Sequence, residues 1–368
     1  MRILHVVPTY LPARRYGGPI VAVHGLAKSL VARGHDVDVV TTNVDGDNIS
    51  DVPISTPVDL DGVHVRYFPS PVRRVYWSPQ MRKALRDHVR EYQVVHLHSV
   101  FLWPTFAAAT AARGAKVPYV ISPRGMLVND LIARKSTFAK KSWIRLIERR
   151  NFATASAIHF TTQREWDDAN DVGLPLPSPF VVPNGIDLPP RRQLARDDAM
   201  ILFLGRINWK KSIDVLIESL VWAPQMRLVV AGNDEEHYVP RLSELAERIG
   251  VANRVEFRGA VRGEEKDFLL GTARVLVLPS ISENFGNVVI EAMAASTPVI
   301  VSPGVGVADY VARAKAGYVV ARNPRAIAES IADVRPEMGE RGRKLVEERF
   351  TWPRVAEEME REYERLRR

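Results

Sequence analysis

The stretch SISENFGNVVIEAM, residues 280–293, decides the fold of this chain. It follows an apolar run over residues 275–278 that is typical of a buried parallel strand, and it continues into apolar residues at helical spacing. A strand, a loop and a helix start are therefore predicted in that order. The amides and dipole of a helix start favour an anion, and Gly286 lets a ligand approach the backbone. Glu283 and Glu291 would flank such an anion, which suits a phosphorylated, hydroxyl-rich ligand.

Length and composition limit the possible architectures of the chain. With 368 residues, 46% of them hydrophobic, the chain exceeds what one core usually supports, so two domains are expected. The absence of cysteine excludes disulfides and thiolate metal sites, and it suits a reducing cytoplasm. The first residues enter a strand without the apolar region of a signal peptide, and no apolar run of about 18 residues occurs. We therefore expect a cytoplasmic protein that does not span a membrane.

The net charge of +8 indicates anionic partners such as phosphates, nucleic acid or an acidic membrane surface. The sequence has no zinc-finger spacing, no Walker phosphate loop and no aromatic RNA-recognition motif. Nucleic acid is therefore not an expected partner.

Apolar strand-like runs alternate with amphipathic helical segments, which is typical of parallel sheets covered on both faces. The alternation stops in a turn-rich linker between residues 182 and 199 and then begins again. We expect an α/β protein of two doubly wound, Rossmann-like domains facing a shared cleft, over residues 1–188 and 189–350. Residues 351–368 are expected to form a charged helix, either solvated or packed back on the N-terminal domain.

The predicted strands of the two domains are 2–7, 37–41, 63–68, 94–98, 118–122 and 157–161, then 200–204, 227–231, 254–257, 275–278, 298–301 and 318–320. Helices in the first domain are predicted over 19–32, 79–91, 104–113, 138–152 and 163–171.

Polar residues follow several strands of the first domain. Gly17 and Gly18 would either admit a phosphate or an acceptor close to the backbone, or simply make a turn. At the end of the fourth strand, His96 is expected in the core, and His98 is the better candidate for a bond to a sugar hydroxyl or for a base. Arg124, at the tip of the next strand, would meet a phosphate or tie down its loop.

The strongest cationic signal follows the first strand of the second domain. Arg206 and Lys211 are placed to converge on a diphosphate and to stabilise the charge that develops when it leaves. Lys210, between them, is expected to be an ordinary surface lysine. Two glutamates eight residues apart are common by chance, so the pair at 283 and 291 is informative only through its surroundings.

Those surroundings resemble the signature of a known family. The chain resembles a retaining glycosyltransferase of the large family 4 group, which has the two-Rossmann GT-B fold, over essentially its full length. The motifs that carry the resemblance are the glycine loop with Gly34-His35-Asp36-Val37, the His98 strand, Pro183-Asn184-Gly185-Ile186-Asp187, Gly205-Arg206 with Lys211, and the E-x(7)-E segment.

The resemblance implies a donor site in the second domain. Glu291 would hold the ribose hydroxyls of a nucleotide sugar, and Glu283 the transferred sugar. Arg206 and Lys211 would contact the diphosphate. The other implied donor-binding residues are Gly205, Phe285, Gly286, Asn287 and Val288. No cofactor is expected, and both a UDP-sugar and GDP-mannose remain open as donor.

The resemblance also implies where the acceptor binds and how the reaction runs. His98 and Arg124 would lie on the acceptor side, near the reacting carbon, although family members often carry a histidine where Arg124 stands. The two glutamates do not form the acid and nucleophile pair of a retaining hydrolase. We therefore favour a front-face displacement in which the leaving phosphate accepts the acceptor's proton, a scheme that requires no metal. Its expected catalytic residues are Glu283, Arg206, Lys211 and His98.

Two basic stretches with interleaved aromatic residues, 73–83 and 134–150, suggest contact with anionic lipid headgroups on the inner face of the membrane. A lipid-linked sugar acceptor in surface polysaccharide assembly would fit, while a solvated basic face is the alternative. Three other functions stay open: a nucleotide-sugar epimerase of the same fold, a phosphorylase with a pyridoxal-binding lysine, and a non-catalytic sugar-nucleotide-binding scaffold.

Overall fold

A computed structural model of the chain describes residues 1–13, 18–127, 143, 147–191, 194–234 and 236–367. The chain divides into two compact units, Met1–Gly185 with Trp352–Arg368, and Ile186–Thr351. The sequence-based division after residue 188 differs from this boundary by three residues. The terminal segment, which the sequence left apart, belongs to the first unit.

The first unit contains a mostly parallel sheet and a short antiparallel hairpin over residues 44–49. Its strands are β1 (Arg2–Thr9), β2 (Asp36–Thr42), β3 (Val44–Asp45), β4 (Asn48–Ile49), β5 (Pro57–Leu60), β6 (Val63–Phe68), β7 (Val94–His98), β8 (Tyr119–Ser122), β9 (Ala157–Phe160) and β10 (Pro179–Val181). The order across the sheet is β10-β9-β8-β7-β1-β2-β6-β5, and β5 pairs antiparallel with β6.

Helices cover both faces of this sheet. They are α1 (Gly18–Ala32), α2 (Pro79–His88), α3 (Trp103–Ala115), α4 (Arg149–Ala153) and α5 (Gln163–Asn170). Because consecutive residues of a strand point to opposite faces, Ile3 and Leu4 enter different apolar clusters, one on each side of the sheet. Because the strands are buried on both faces, their sequences are nearly continuous apolar runs.

The second unit has a fully parallel six-stranded sheet. Its strands are β11 (Asp197–Leu204), β12 (Arg227–Ala231), β13 (Val255–Gly259), β14 (Ala273–Leu278), β15 (Val299–Val301) and β16 (Gly317–Val319). The order across the sheet is β13-β12-β11-β14-β15-β16. Its helices are α6 (Ile213–Ser219), α7 (Val239–Arg248), α8 (Gly263–Thr272), α9 (Asn287–Ala294), α10 (Ala308–Ala314), α11 (Pro324–Ala332) and α12 (Pro336–Arg349).

The last helix, α13 (Trp352–Leu366), packs against α1 of the first unit. The Trp352 indole fills a space that only glycines leave open, since a Cβ on Gly25 would lie 2.2 Å from Trp352 Cε2 and one on Gly185 would lie 2.4 Å from Trp352 Cε3. Glu360 accepts a hydrogen bond from Arg33 Nε at 2.6 Å. The terminal helix is therefore a packed element rather than a solvated one.

All twelve predicted strands are present within a few residues of their expected bounds. The short strands β3, β4, β5 and β10 were not predicted, because each lies in a stretch rich in turn-forming residues. The predicted helix over 138–152 lies largely outside the described residues. Among the residues that are described, no helix combines the length and apolar content needed to cross a bilayer.

Candidate functional site

Each sheet has one place where neighbouring strands are connected in opposite directions. In the second unit it lies between β11 and β14, and in the first between β1 and β7. Ligands of open α/β sheets bind beyond the carboxyl ends of the strands at such points. Both points carry residues that the sequence singled out, Lys211 and Glu283 in the second unit and His98 in the first.

In the second unit, the loop after β11 begins at Gly205 and Arg206 and ends in a single helical turn, Trp209–Lys211. Arg206 is exposed, whereas the Lys211 side chain retains only 12% exposure. The Lys211 ammonium forms an ion pair with the Glu283 carboxylate, which lies 72 residues away in the loop after β14. The two predicted donor residues are thus brought into direct contact.

The backbone of Glu283 is held from two sides. Its N–H donates to Gly304 O and its carbonyl accepts from Gly306 N, both at 2.9 Å. This close approach requires a glycine, because a Cβ on Gly306 would lie 2.0 Å from Asn284 O. The amide of Ile281 donates to Lys210 O at 2.7 Å and joins the loop to the one after β11. Glu283 therefore projects its carboxylate from a braced backbone.

Helix α9 begins immediately after this loop. Gly286 precedes it with φ of +101°, in the left-handed region that favours glycine. Phe285 is buried and packs edge-on against Phe350, with 6.1 Å between ring centroids. Asn287 and Val288 open the helix and are half-buried, so their amides belong to its first turn. The predicted strand, loop and helix start are all present.

Glu291 lies in the second turn of α9 and is paired with a residue that sequence reasoning missed. Lys266 Nζ in α8 lies 2.8 Å from Glu291 Oε1, and both side chains are about 30% exposed. No motif marks Lys266, which occupies an ordinary position of a charged helix. Only the packing of α8 beside α9 reveals this contact.

In the first unit, His98 ends β7 and is buried. His98 Nε2 lies 2.9 Å from His5 Nδ1, and His98 Nδ1 lies 3.2 Å from Arg124 Nη2 and 3.4 Å from Arg124 Nε. Because a guanidinium can only donate, His98 Nδ1 is the acceptor and His98 Nε2–H donates to His5 Nδ1. His5 Nε2 then carries a proton, and it has no hydrogen-bond partner among the described residues.

A second chain of hydrogen bonds crosses the same sheet. His159 Nε2 lies 2.8 Å from Val182 O, which can only accept, so His159 Nδ1 accepts from the Ser122 hydroxyl. Ser122 Oγ accepts in turn from His96 Nε2 at 2.7 Å, and His96 Nδ1 accepts from Tyr363 OH at 2.6 Å. The chain links the C-terminal helix to the strands of the sheet. His96 is a core residue, as the sequence predicted.

Burial governs the charge of all four imidazoles. It lowers the pKa of His5 and of His159 to about 3, and the positive charge of Arg124 acts in the same direction. Burial, with neighbouring imidazoles and Arg124, holds the pKa of His96 and His98 well below the ordinary histidine value. The cluster is therefore neutral at physiological pH.

The imidazoles of His5, His96 and His98 offer ring nitrogens within 4.8 Å of one another, close enough to share a metal ion. Their hydrogen bonds argue against that use. Both nitrogens of His96 and of His98 are already engaged, and the guanidinium of Arg124 places a fixed positive charge beside the group. The arrangement suits a neutral hydrogen-bonding network better than a cation site.

Arg124 lies beyond the carboxyl end of β8 with φ of +57°, a left-handed conformation that is uncommon outside glycine. Its Nη1 donates to Asn184 Oδ1 at 2.9 Å. Gly18 is half-buried at the start of α1. Gly17 lies outside the described residues, so its predicted role rests on sequence alone.

The sequence missed His5, His159 and Asn184 as members of this group. His5 and His159 are single polar residues inside apolar strands, where the register of the sheet decides what they meet. The pairing of β1 with β7 sets His5 opposite His96. A polar residue within a strand that is buried on both faces indicates a buried hydrogen bond. It does not indicate which residue is the partner.

Comparison with known proteins identifies the family. Residues 187–346 match the family described as glycosyl transferases group 1, and residues 17–185 match the glycosyl transferase 4-like domain. An uncharacterised glycosyltransferase of Methanocaldococcus jannaschii is 30% identical, with 97% of this chain and 96% of the relative covered.

Two further similarities extend over almost the whole chain. A D-inositol 3-phosphate glycosyltransferase of Xylanimonas cellulosilytica is 28% identical, with 93% of this chain and 90% of the relative covered. The crystal structure of Anabaena HepE in complex with UDP and glucose has the same fold, with a TM-score of 0.74 at 17% identity over 99% of this chain and 100% of HepE. The chain therefore belongs to the family 4-type glycosyltransferases, with their GT-B fold of Rossmann-like parallel sheets.

Proposed function

We propose that the protein transfers a hexose from a nucleoside diphosphate sugar to a hydroxyl group of a glycan or lipid-linked sugar, with retention at the anomeric carbon. The observation that carries this proposal is the pairing of Lys211 with Glu283 beside the start of α9. A cation, a carboxylate and helix amides at one switch point match a ligand that combines a diphosphate with sugar hydroxyls.

The ion pair between Lys211 and Glu283 would be replaced by contacts with the donor when it binds. Without donor, the Lys211 ammonium is compensated by Glu283. A bound diphosphate would attract Lys211 more strongly than one carboxylate does, since it carries more charge and more acceptor oxygens. Glu283 would then be released to accept hydrogen bonds from the sugar hydroxyls. Arg206 and the amides of Asn287 and Val288 would complete the diphosphate site.

For the chemical step we favour displacement on one face of the sugar. The bond between the anomeric carbon and the diphosphate oxygen breaks while the bond to the acceptor oxygen forms on the same face. The leaving phosphate oxygen takes the acceptor's proton, so no protein base is needed. Arg206, Lys211 and the helix amides stabilise the charge of that phosphate. No step of this scheme requires a metal ion.

The nucleotide of the donor is a uridine or guanosine diphosphate in our proposal. The solved complex of HepE with UDP and glucose, which shares the fold, supports a nucleotide sugar of this kind. Glu291 is assigned to the ribose hydroxyls. Lys266, which touches one oxygen of that carboxylate, would leave the other for the ribose.

We assign the acceptor to the first unit, beside His98 and Arg124, and propose a lipid-linked acceptor on the inner face of the cell membrane, used in surface polysaccharide assembly. Support comes from Val72, Val75 and Trp77, which are 47%, 37% and 39% exposed next to basic residues 73 and 74. Exposed apolar side chains among cations suit an anionic lipid surface. The second basic stretch, 134–150, lies largely outside the described residues.

Two measurements test these proposals. In a thermal-shift screen of nucleotides and nucleotide sugars, a ligand at about 100 times its Kd should stabilise the protein by about 2.7 kcal/mol. Product analysis by NMR should then show the donor's anomeric configuration retained in a new glycoside, whereas an epimerised nucleotide sugar without acceptor would indicate an epimerase. No shift with any nucleotide would remove the donor-site assignment.

Membrane contact is tested separately with vesicles. The protein should sediment with vesicles that contain anionic phospholipid and not with neutral phosphatidylcholine vesicles. Trp77→Ser should weaken this binding, while Trp222→Ser, at an exposed tryptophan of the second unit, serves as the matched control. Equal binding to both kinds of vesicle would contradict the proposal.

A further inference from the structure

The guanidinium of Arg124 is only partly used by the protein. An arginine has five N–H donors in a fixed planar fork. Three are engaged, by Asn184 Oδ1 through Nη1 and by His98 Nδ1 through Nε and Nη2. Among the described residues, one N–H on each terminal nitrogen has no acceptor, so two donors of one guanidinium remain for a ligand.

The charge of Arg124 is also uncompensated within the part of the chain that is described. Among the described residues, no carboxylate oxygen lies within 4.0 Å of a guanidinium nitrogen of Arg124, the limit for an ion pair. Burial lowers the pKa of the guanidinium. Glu165 is the carboxylate that raises this pKa, but its oxygens accept from Gly125 N, Thr161 N and Thr161 Oγ1, each at 2.7 Å. Arg124 is half-buried, and a partly desolvated cation without a counter-ion favours an anionic partner.

We infer that the acceptor carries an anionic group next to the hydroxyl that receives the sugar, and that Arg124 binds this group through its two remaining N–H donors. This inference rests on the proposed function, because it concerns the acceptor half of that site. A phosphate or a carboxylate has the paired oxygens that match the fork of an arginine. A sugar phosphate and a uronic acid are the two sources of that chemistry.

The same geometry makes His98 a positioning residue and not a base. Its Nδ1 accepts from Arg124 and its Nε2–H donates to His5, so neither nitrogen is left to take a proton from the acceptor. The contact with Asn184 fixes the other end of the guanidinium. His98 and Asn184 together orient the plane of Arg124 and leave its remaining donors aligned.

The test measures binding at the acceptor site of the full-length protein saturated with UDP or GDP, whichever binds. Calorimetry at fixed ionic strength compares mannose 6-phosphate with mannose, and glucuronate with glucose. At least one anionic probe should bind 10-fold or more tightly than its neutral counterpart. Arg124→Gln should abolish that preference, and Arg124→Lys should retain part of it. Arg113→Gln, at a half-buried arginine of α3, is the matched control and should keep the full preference.

Nucleotide affinity distinguishes a failure of the proposed function from a failure of the inference about Arg124. It should be unchanged in Arg124→Gln, which also shows that the variant is folded. If neither UDP nor GDP binds the wild type, the proposed function fails. If a nucleotide binds but neither anionic probe is preferred, or if Arg124→Gln keeps the preference, the inference is overturned while the donor site stands. A preference for mannose 6-phosphate alone or for glucuronate alone identifies which anion is recognised.

The positioning role of His98 has its own readout. His98→Asn keeps an acceptor oxygen near the position of Nδ1 and should preserve the anionic preference, whereas His98→Phe should lose it to the same extent as Arg124→Gln. Long-range ¹H–¹⁵N NMR should show His98 as the neutral Nε2–H tautomer from pH 6 to 8. Equal binding by His98→Asn and His98→Phe, or a titrating His98 signal, would refute the role.

Discussion

Acidification from pH 7.0 to 5.5 should destabilise the first unit through its four buried histidines. Burial lowers the pKa of His5 and His159 to about 3 and holds those of His96 and His98 well below the ordinary value. The unfolded chain therefore binds protons near pH 6.5 while the folded chain does not. The stability that these groups contribute is present above pH 6.5 and is lost as the pH falls toward their folded pKa values.

The size of the loss follows from linkage. For a group with an unfolded pKa of about 6.5 that stays neutral when folded, lowering the pH from 7.0 to 5.5 removes about 1.3 kcal/mol of unfolding free energy. Four such groups remove about 5 kcal/mol, a large part of the stability of a typical domain. Glu148, whose pKa is raised by burial, acts with the opposite sign and offsets part of this loss.

The assay is urea unfolding at pH 7.0 and 5.5, followed by hydrogen-exchange mass spectrometry so that the two units are observed separately. Strand β7 should lose protection at lower urea when the pH is lowered, while β14 should change little. His159→Gln should reduce the pH dependence of the first unit by about a quarter. His237→Asn, at an exposed position of the second unit, should leave it as in wild type. Equal pH dependence of β7 and β14 would refute this reasoning.

Three further predictions concern the donor site and the C-terminal helix. Glu291→Ala should weaken nucleotide binding about 30-fold, because about 2 kcal/mol of charged hydrogen bonds is lost. Glu283→Ala should lower kcat more than it lowers nucleotide affinity. Equal effects of the two changes on UDP affinity, measured by calorimetry, would contradict this division. Lys266→Met should weaken nucleotide binding about threefold, as expected for loss of a partly exposed pair, and tighter binding would show instead that the lysine competes with the ribose. Gly25→Ala should cost about 2 kcal/mol in urea unfolding because the added methyl group meets Trp352, and an unchanged midpoint would show that α13 shifts without cost.

Much of the fold could be predicted because its signals are local. Continuous apolar runs marked the parallel strands, and the turn-rich stretch predicted as a linker, residues 182–199, includes the point between residues 185 and 186 where the two units divide. Gly286 and the apolar residues after it marked the start of α9. The family resemblance, carried by these local motifs, is confirmed by the comparisons.

Local signals of this kind could not predict contacts between segments that are distant in sequence. The sequence named Lys211 and Glu283 separately, but it could not show that they pair, because their loops meet only where the sheet order places β14 beside β11. The contact of Lys266 with Glu291 depends likewise on how α8 packs beside α9. The roles of these four residues in donor binding remain predictions.

The sequence by itself determined the strands and the charged residues at the strand ends, because each depends on a short stretch of chain. Only the tertiary structure decided what those residues do to one another. From its place at a strand end, His98 was a candidate for a bond to a sugar hydroxyl or for a base. The register of β1 against β7 and the left-handed turn at Arg124 enclose it between His5 and a guanidinium. The physical reason is that protonation and hydrogen-bond direction depend on burial and on partners far apart in sequence.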